Sequence, residues 1–181
     1  MQICTIPDSA TYIVLDIPEA MAGWIRSIRA RFNPERCAMP AEITVTGSSG
    51  LGHLVPGQSL ADVASEIDRI AGSVVPFSAS FSKVERFPDT EIYYLTLKDP
   101  EPFRAIHRAF AESSIGFLPN PYPFQPHCTL KLRSKPSDPE LLELLFLEPP
   151  KESFTLSSLS LYALPDVQSC ELLHTARLRG T

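Results

Sequence analysis

The sequence predicts an α+β fold of two lobes related by approximate twofold symmetry, on three observations. The elements run strand, helix, strand, helix, strand, strand, and then helix, strand, helix, strand, strand, so that one unit nearly repeats. Two of these strands carry the same short pattern, Pro40-Ala41-Glu42-Ile43-Thr44-Val45 and Pro126-His127-Cys128-Thr129-Leu130: a proline, an ionisable residue, an apolar residue, a threonine and an apolar residue. With 181 residues, 44% of them hydrophobic, the chain has enough apolar surface for one shared core, and residues 1–181 read as a single two-lobed domain.

In order, residues 11–17 are rich in β-branched and aromatic residues and stop at Pro18, which marks a buried strand. Pro18 opens a helix whose apolar positions, Met21, Trp24, Ile25, Ile28 and Phe32, recur at intervals of three and four, while Arg26, Arg29 and Arg31 read as its solvated face. A turn at 33–36 leads into the first patterned strand, where Ile43 and Val45 take one face and Glu42, Thr44 and Thr46 the other. Four of the eight glycines, Gly47, Gly50, Gly52 and Gly57, then mark a connection carrying His53 on its surface. Its backbone amides can approach a phosphate, but it lacks the Gly-Lys-Ser/Thr ending of a Walker loop. Ser59 and Asp62, at capping-box-like spacing, open the second helix and Gly72 ends it. Phe77, Ala79 and Phe81 alternate in the next strand, Pro88-Asp89 turns the chain, and residues 92–97 return with Tyr93 and Tyr94 as packed aromatics.

Residues 100–114 form a helix with Phe103, Ile106, Ala109 and Phe110 turned inward and His107 at the boundary. Three prolines within 117–124 forbid regular helix, so this stretch is an extended lead whose aromatic rings can wall a cleft. In the second patterned strand, Cys128, Leu130 and Leu132 fall on the core face and His127, Thr129, Lys131 and Arg133 on the other. Asp138-Pro139 caps a last helix and Pro149-Pro150 stops it. The closing strands are 154–162, where apolar parity changes across Ser157-Ser158 and predicts a bulge, and 171–178, where His174 reads as a buried, satisfied histidine.

The polar face of the second patterned strand has what a phosphate site needs. Imidazole transfers protons near neutral pH, a threonine hydroxyl donates to phosphate oxygen and a cationic side chain offsets charge. Laid over it, the first patterned strand puts Glu42 where His127 stands and Thr44 where Thr129 stands. The pair resembles the His-x-Thr motifs of the two-histidine phosphoesterase superfamily, which includes the 2′-5′ RNA ligase (LigT-like) family and the cyclic nucleotide phosphodiesterases. The second motif fits in full, and the first fits except that glutamate replaces histidine. The resemblance spans residues 12–178 and implies two lobes, each an antiparallel sheet flanked by helices, enclosing a cleft into which each contributes one motif strand. It also implies catalytic roles for Glu42 and His127, phosphate binding by Thr44 and Thr129, with Lys131 beside them, and chemistry without a cofactor.

Composition narrows the partners. A net charge of −5 and a pI near 5.4 argue against binding long nucleic acid through its backbone and leave a small nucleotide or an RNA-terminal phosphodiester. No apolar run is long enough to span a bilayer and the N-terminal residues lack a signal-peptide pattern, so the expectation is a cytoplasmic monomer with no membrane contact. Cys4, Cys37, Cys128 and Cys170 are scattered as free thiols, and no residues stand at metal-ligand spacing.

Two functions follow. One is a metal-independent phosphoesterase or 2′-5′ ligase-like enzyme acting on 2′,3′-cyclic or 2′-5′ linked phosphodiesters, with Glu42 as general base and His127 as general acid, weakened or altered by the glutamate. The other is a catalytically silent module that binds a nucleotide or phosphate ligand. A carboxylate donates no proton unless burial raises its pKa, so the surroundings of Glu42 decide between them.

Overall fold

The computed structural model describes residues 4–181; Met1–Ile3, part of the N-terminal stretch read above, lie outside the described residues. The first half of the chain contains β1 (Ala10–Asp16), α1 (Glu19–Phe32), a single 3₁₀ turn (Pro34–Arg36), β2 (Glu42–Thr44), α2 (Leu60–Ser73), β3 (Phe77–Ala79) and β4 (Phe81–Arg86). The second contains β5 (Tyr93–Leu97), α3 (Glu101–Ala111), β6 (Cys128–Lys131), α4 (Asp138–Leu145), β7 (Phe154–Leu156), β8 (Ser158–Leu164) and β9 (Glu171–Arg177).

The strands form two antiparallel sheets, one in the order β2-β1-β8-β9 and one in the order β4-β5-β6, with β3 and β7 paired in a short ladder of their own. The predicted repeat is visible in the topology. The runs β1-α1-β2-α2-β3-β4 and β5-α3-β6-α4-β7-β8 have the same element order, and in each the motif strand lies antiparallel beside the strand that opened the run. The last strand of each run then joins the sheet of the other, β8 beside β1 and β4 beside β5. Helix α1 likewise leaves the sheet of its neighbours in sequence and packs on β6, while α2 packs on β9 and α4 on β4.

Local chemistry accounts for the boundaries. The Ser59 hydroxyl accepts the Asp62 amide at the start of α2, and Ser137 with Glu140 forms a reciprocal capping box on α4. The core joins both sheets: Ile13, Leu15 and Ile43 of one and Leu95, Cys128 and Leu130 of the other belong to one fully buried cluster with Ile67, Phe103 and Phe110 of the helices. Each such aliphatic or aromatic side chain contributes about 1.5–3 kcal/mol on burial.

The structure departs from the sequence expectation at four places, one of them the single strand read through Phe77, Ala79 and Phe81, which is split between β3, paired with β7, and β4, paired with β5. The parity change at 157–158 separates β7, paired with β3, from β8, paired with β1; the strand leaves one sheet for another there instead of bulging within one. A bulge does occur in β6, where Tyr94 opposes Thr129 but Tyr93 opposes Lys131, so Leu130 is the extra residue and alternation reverses beyond it. His174 is not sealed in the core: its side chain is 24% exposed and its Nε2 meets Asp68 at 2.9 Å.

Candidate active site at the meeting of the motif strands

Strands β2 and β6 come together at a single main-chain contact, in which the Thr44 amide donates to the His127 carbonyl at 3.1 Å. Beside this junction lies a cleft of about 440 Å³. Glu42, Thr44, His127 and Thr129 all line it, together with Arg29, Arg36, Ser48 and His53, and with Phe87, Pro88, Tyr122 and Leu132 as apolar wall. Lys131 does not line it. The bulge at Leu130 turns Lys131 away and brings Leu132 to the cleft instead, and the Lys131 ammonium donates to the Phe32 carbonyl at 2.7 Å and to the Ser134 hydroxyl at 2.8 Å.

His127 is 2% exposed. A carbonyl only accepts, so the 2.6 Å contact between His127 Nδ1 and the Gln125 carbonyl fixes the proton on Nδ1 and leaves Nε2 as an acceptor. The Ser48 hydroxyl lies 3.3 Å from Nε2 and donates to it. Phe87 and Tyr94 stand edge-on to the imidazole at 5.1 and 5.5 Å between centroids. Burial among these groups pushes the His127 pKa down to about 4, against a smaller upward pull from the Gln125 carbonyl, so the ring is neutral at pH 7.

Glu42 is buried as well, and its Oε2 has no hydrogen-bond partner among the described residues. Burial pushes its pKa up; the guanidinium groups of Arg29 and Arg36 oppose that, and Asp16, directly across the β1–β2 ladder, reinforces it. Asp16 itself accepts from the Ser158 and Ser160 hydroxyls at 2.7 Å each. Burial therefore keeps the imidazole neutral, with Nε2 as an acceptor, and shifts Glu42 toward its protonated form against the pull of the two arginines. These directions favour roles opposite to those expected from the sequence, with His127 as acceptor and Glu42 as donor.

Between them, the Thr44 and Thr129 hydroxyls line the cleft and have no protein partner among the described residues. Hydroxyls so placed are free to donate to a phosphate oxygen. The positive charge comes from two arginines that sequence reasoning did not select. Arg29, read as solvated, is 4% exposed, and its position was legible in the spacing, because Ile25, Arg29 and Phe32 fall on one helical stripe. Arg36 reaches the cleft from the 3₁₀ turn and donates to the Val167 carbonyl at 3.1 Å.

The glycine-bearing connection is a fitted part of the site. Its amides at Gly50 and Gly52 donate to the carbonyls of Tyr122 and Leu118 at 2.8 and 3.2 Å, and the Leu118 amide donates to the His53 carbonyl at 2.7 Å. Ser49 Oγ both donates to the Gln125 carbonyl and accepts its amide, at 3.3 and 3.1 Å. A Cβ on Gly52 would collide with the Leu118 carbonyl oxygen, so only glycine permits this close approach. His107, stacked on Phe124 at 3.9 Å, braces the same region by donating from Nδ1 to the Val45 carbonyl at 2.8 Å. His53 lines the cleft with its Nδ1 donating to the Thr11 carbonyl at 3.1 Å.

Residues 17–167 match the family model of the 2′-5′ RNA ligase superfamily. The chain belongs to that superfamily. No curated protein sequence matches it. Among solved structures, TT0787 of Thermus thermophilus superposes with a TM-score of 0.68 at 19% identity, covering 94% of this chain and 98% of the other. E. coli LigT complexed with 3′-AMP gives 0.65 at 19% identity over 94% and 98%, and LigT complexed with ATP gives 0.61 at 17% over 97% and 99%. At these identities the likeness establishes the fold: this superfamily member has the two-lobed LigT architecture, with its motif strands at the cleft. Among the described residues, no cluster of three or more His, Cys, Asp or Glu is placed to hold a metal ion, and no helix is long and apolar enough to cross a membrane.

Proposed function

We propose that this superfamily member, as a single two-lobed domain, hydrolyses a small cyclic nucleotide phosphodiester without a metal, using His127 as general base and Glu42 as general acid. The observation that carries the reading is the pairing of opposite proton states in one cleft: an imidazole Nε2 kept free of its proton and a buried carboxyl oxygen with no partner among the described residues, whose burial favours keeping one. Water gives a proton to His127 Nε2 as its oxygen bonds to phosphorus. The phosphorus–oxygen bond to the ribose then breaks, and the Glu42 proton goes to the departing oxygen. The Thr44 and Thr129 hydroxyls and the Arg29 and Arg36 charges stabilise the phosphoryl oxygens, while Phe87 and Tyr122, the latter 62% exposed, offer faces to the nucleoside. E. coli LigT has been crystallised with 3′-AMP and ATP, which supports a small nucleotide as the ligand.

The test is turnover of 2′,3′-cyclic nucleotides and 2′-5′ linked dinucleotides in the presence of a chelator. His127→Ala and Glu42→Gln each lower kcat about 10²–10⁴-fold, the usual worth of a positioned acid or base. Glu42→His keeps a proton donor and stays active. The wild-type kcat/KM rises with pH through the His127 pKa near 4 and falls again as Glu42 gives up its proton at higher pH. A wild-type protein that binds these nucleotides and turns over none of them is a silent binding module, and the enzymatic reading is then wrong.

A further inference from the structure

We propose that Arg29 is the positioning residue of the acid–base pair: one buried guanidinium ties the backbone of both motif strands together and sets the fixed positive charge that faces Glu42. The inference rests on reading Glu42 and His127 as that pair. Its geometric basis is a set of three bonds. Arg29 Nε donates to the Thr129 carbonyl at 3.0 Å, within β6, and one terminal nitrogen donates to the carbonyls of Met39 and Pro40 at 3.1 and 2.8 Å, in the lead into β2. The two strands share one main-chain bond, Thr44 to His127, and the Glu42 backbone also meets the Cys128 thiol; Arg29 adds a tie between the Thr129 carbonyl and the lead into β2.

Three carbonyls accept from this guanidinium and, among the described residues, no carboxylate hydrogen-bonds to it, which is unusual for a charge that is 4% exposed. A structural clamp alone does not require a permanent cation, since neutral donors can serve carbonyls. The nearby acidic group is the Glu42 carboxyl, on which Arg29 exerts the larger downward pull of the two arginines. Glu42 also faces Arg36 from the 3₁₀ turn and Asp16 across the ladder from β1. When ionised, Glu42 raises in turn the pKa values of Tyr12 on β1, Cys128 on β6, Tyr162 on β8 and Cys170, which burial already keeps neutral at pH 7. Arg29 is thus the counterweight to the burial that gives Glu42 its proton. Without it the carboxyl would hold that proton more tightly and release it to the departing oxygen less readily.

The two roles separate by substitution. Arg29→Lys keeps the charge and the packed stem but cannot reach carbonyls in both strands, whereas Arg29→Gln keeps donors and removes the charge. Both variants lose kcat, by about 10²-fold, as expected for misplacement of reacting groups. Only Arg29→Gln moves the alkaline limb of the pH profile upward, because loss of a positive neighbour raises the Glu42 pKa. The same shift is read without substrate by carbon-13 NMR titration of the Glu42 carboxyl, so the electrostatic role is tested even if the wild-type protein turns nothing over, and loss of bound-nucleotide affinity in Arg29→Lys then reads the tie. Thermal melts establish that each variant is folded. Folded Arg29→Lys with wild-type kcat overturns the tie. A Glu42 titration unchanged between wild type and Arg29→Gln overturns the electrostatic role, and if only Arg29→Lys folds, a Glu42 titration displaced in that variant has the same effect, since its charge is conserved.

Discussion

At His127 the imidazole is neutral because water has been removed from around it, and that neutrality makes the folded protein sensitive to acid. The unfolded chain takes up a proton on this histidine near pH 6.5, while the folded chain resists until about pH 4. Between those values the unfolded state binds more protons than the folded one, so stability falls as pH falls across the window. A gap of this size corresponds to roughly 3 kcal/mol at its full extent. We expect wild type to lose on the order of 3 kcal/mol more than His127→Gln between pH 6.5 and 4 in denaturant titrations. Equal slopes for the two proteins would show that His127 is not shielded in solution.

Among the secondary-structure elements, β6 separates what one strand's own sequence encodes from what it does not. The residues that share the cleft, Glu42, Thr44, His127 and Thr129, were legible because period-two alternation holds in any strand whatever its partner. Lys131 was not, because a bulge depends on which β5 residues stand opposite, and Tyr93 and Tyr94 lie far away in the chain. Helix α1 shows the complement: its apolar stripe is legible in the spacing, but charge suggests exposure, and Arg29 is buried because its spacing places it on that stripe. Lys131 now has a different role. Phe32 is the last residue of α1, and its carbonyl is one of those a helix leaves unpaired at its C-terminus, where a cation is favourable. Lys131→Met should therefore cost about 1–3 kcal/mol in stability, the penalty for a buried acceptor left unsatisfied, and leave nucleotide affinity unchanged. A weakened affinity with unchanged melting would return Lys131 to the phosphate site.

Across the whole molecule, each sheet is assembled from both halves of the chain. Cut between Lys98 and Asp99, the first fragment holds β1 without β8, β3 without β7 and β5 without β6, and the second holds the missing partners. Neither fragment should show a cooperative thermal transition alone, and mixing them should restore one. Cooperative melting of either fragment by itself would mean that its strands fold without their partners from the other half. The near-repeat in the sequence revealed the two lobes but not this exchange, because the order of elements is the same whether a unit's last strand closes its own sheet or its neighbour's.

The exchange also fixes a timetable for synthesis. Strand β1 leaves the ribosome about 150 residues ahead of β8, which at about 5–20 residues per second is a wait of roughly 7–30 s with one hydrogen-bonding edge unpaired. That edge belongs to a run of Tyr12, Ile13, Val14 and Leu15, all buried in the finished protein. A message broken before the codon for Ser158 would thus release a chain with this apolar strand open on one side, the form of strand edge that recruits other chains.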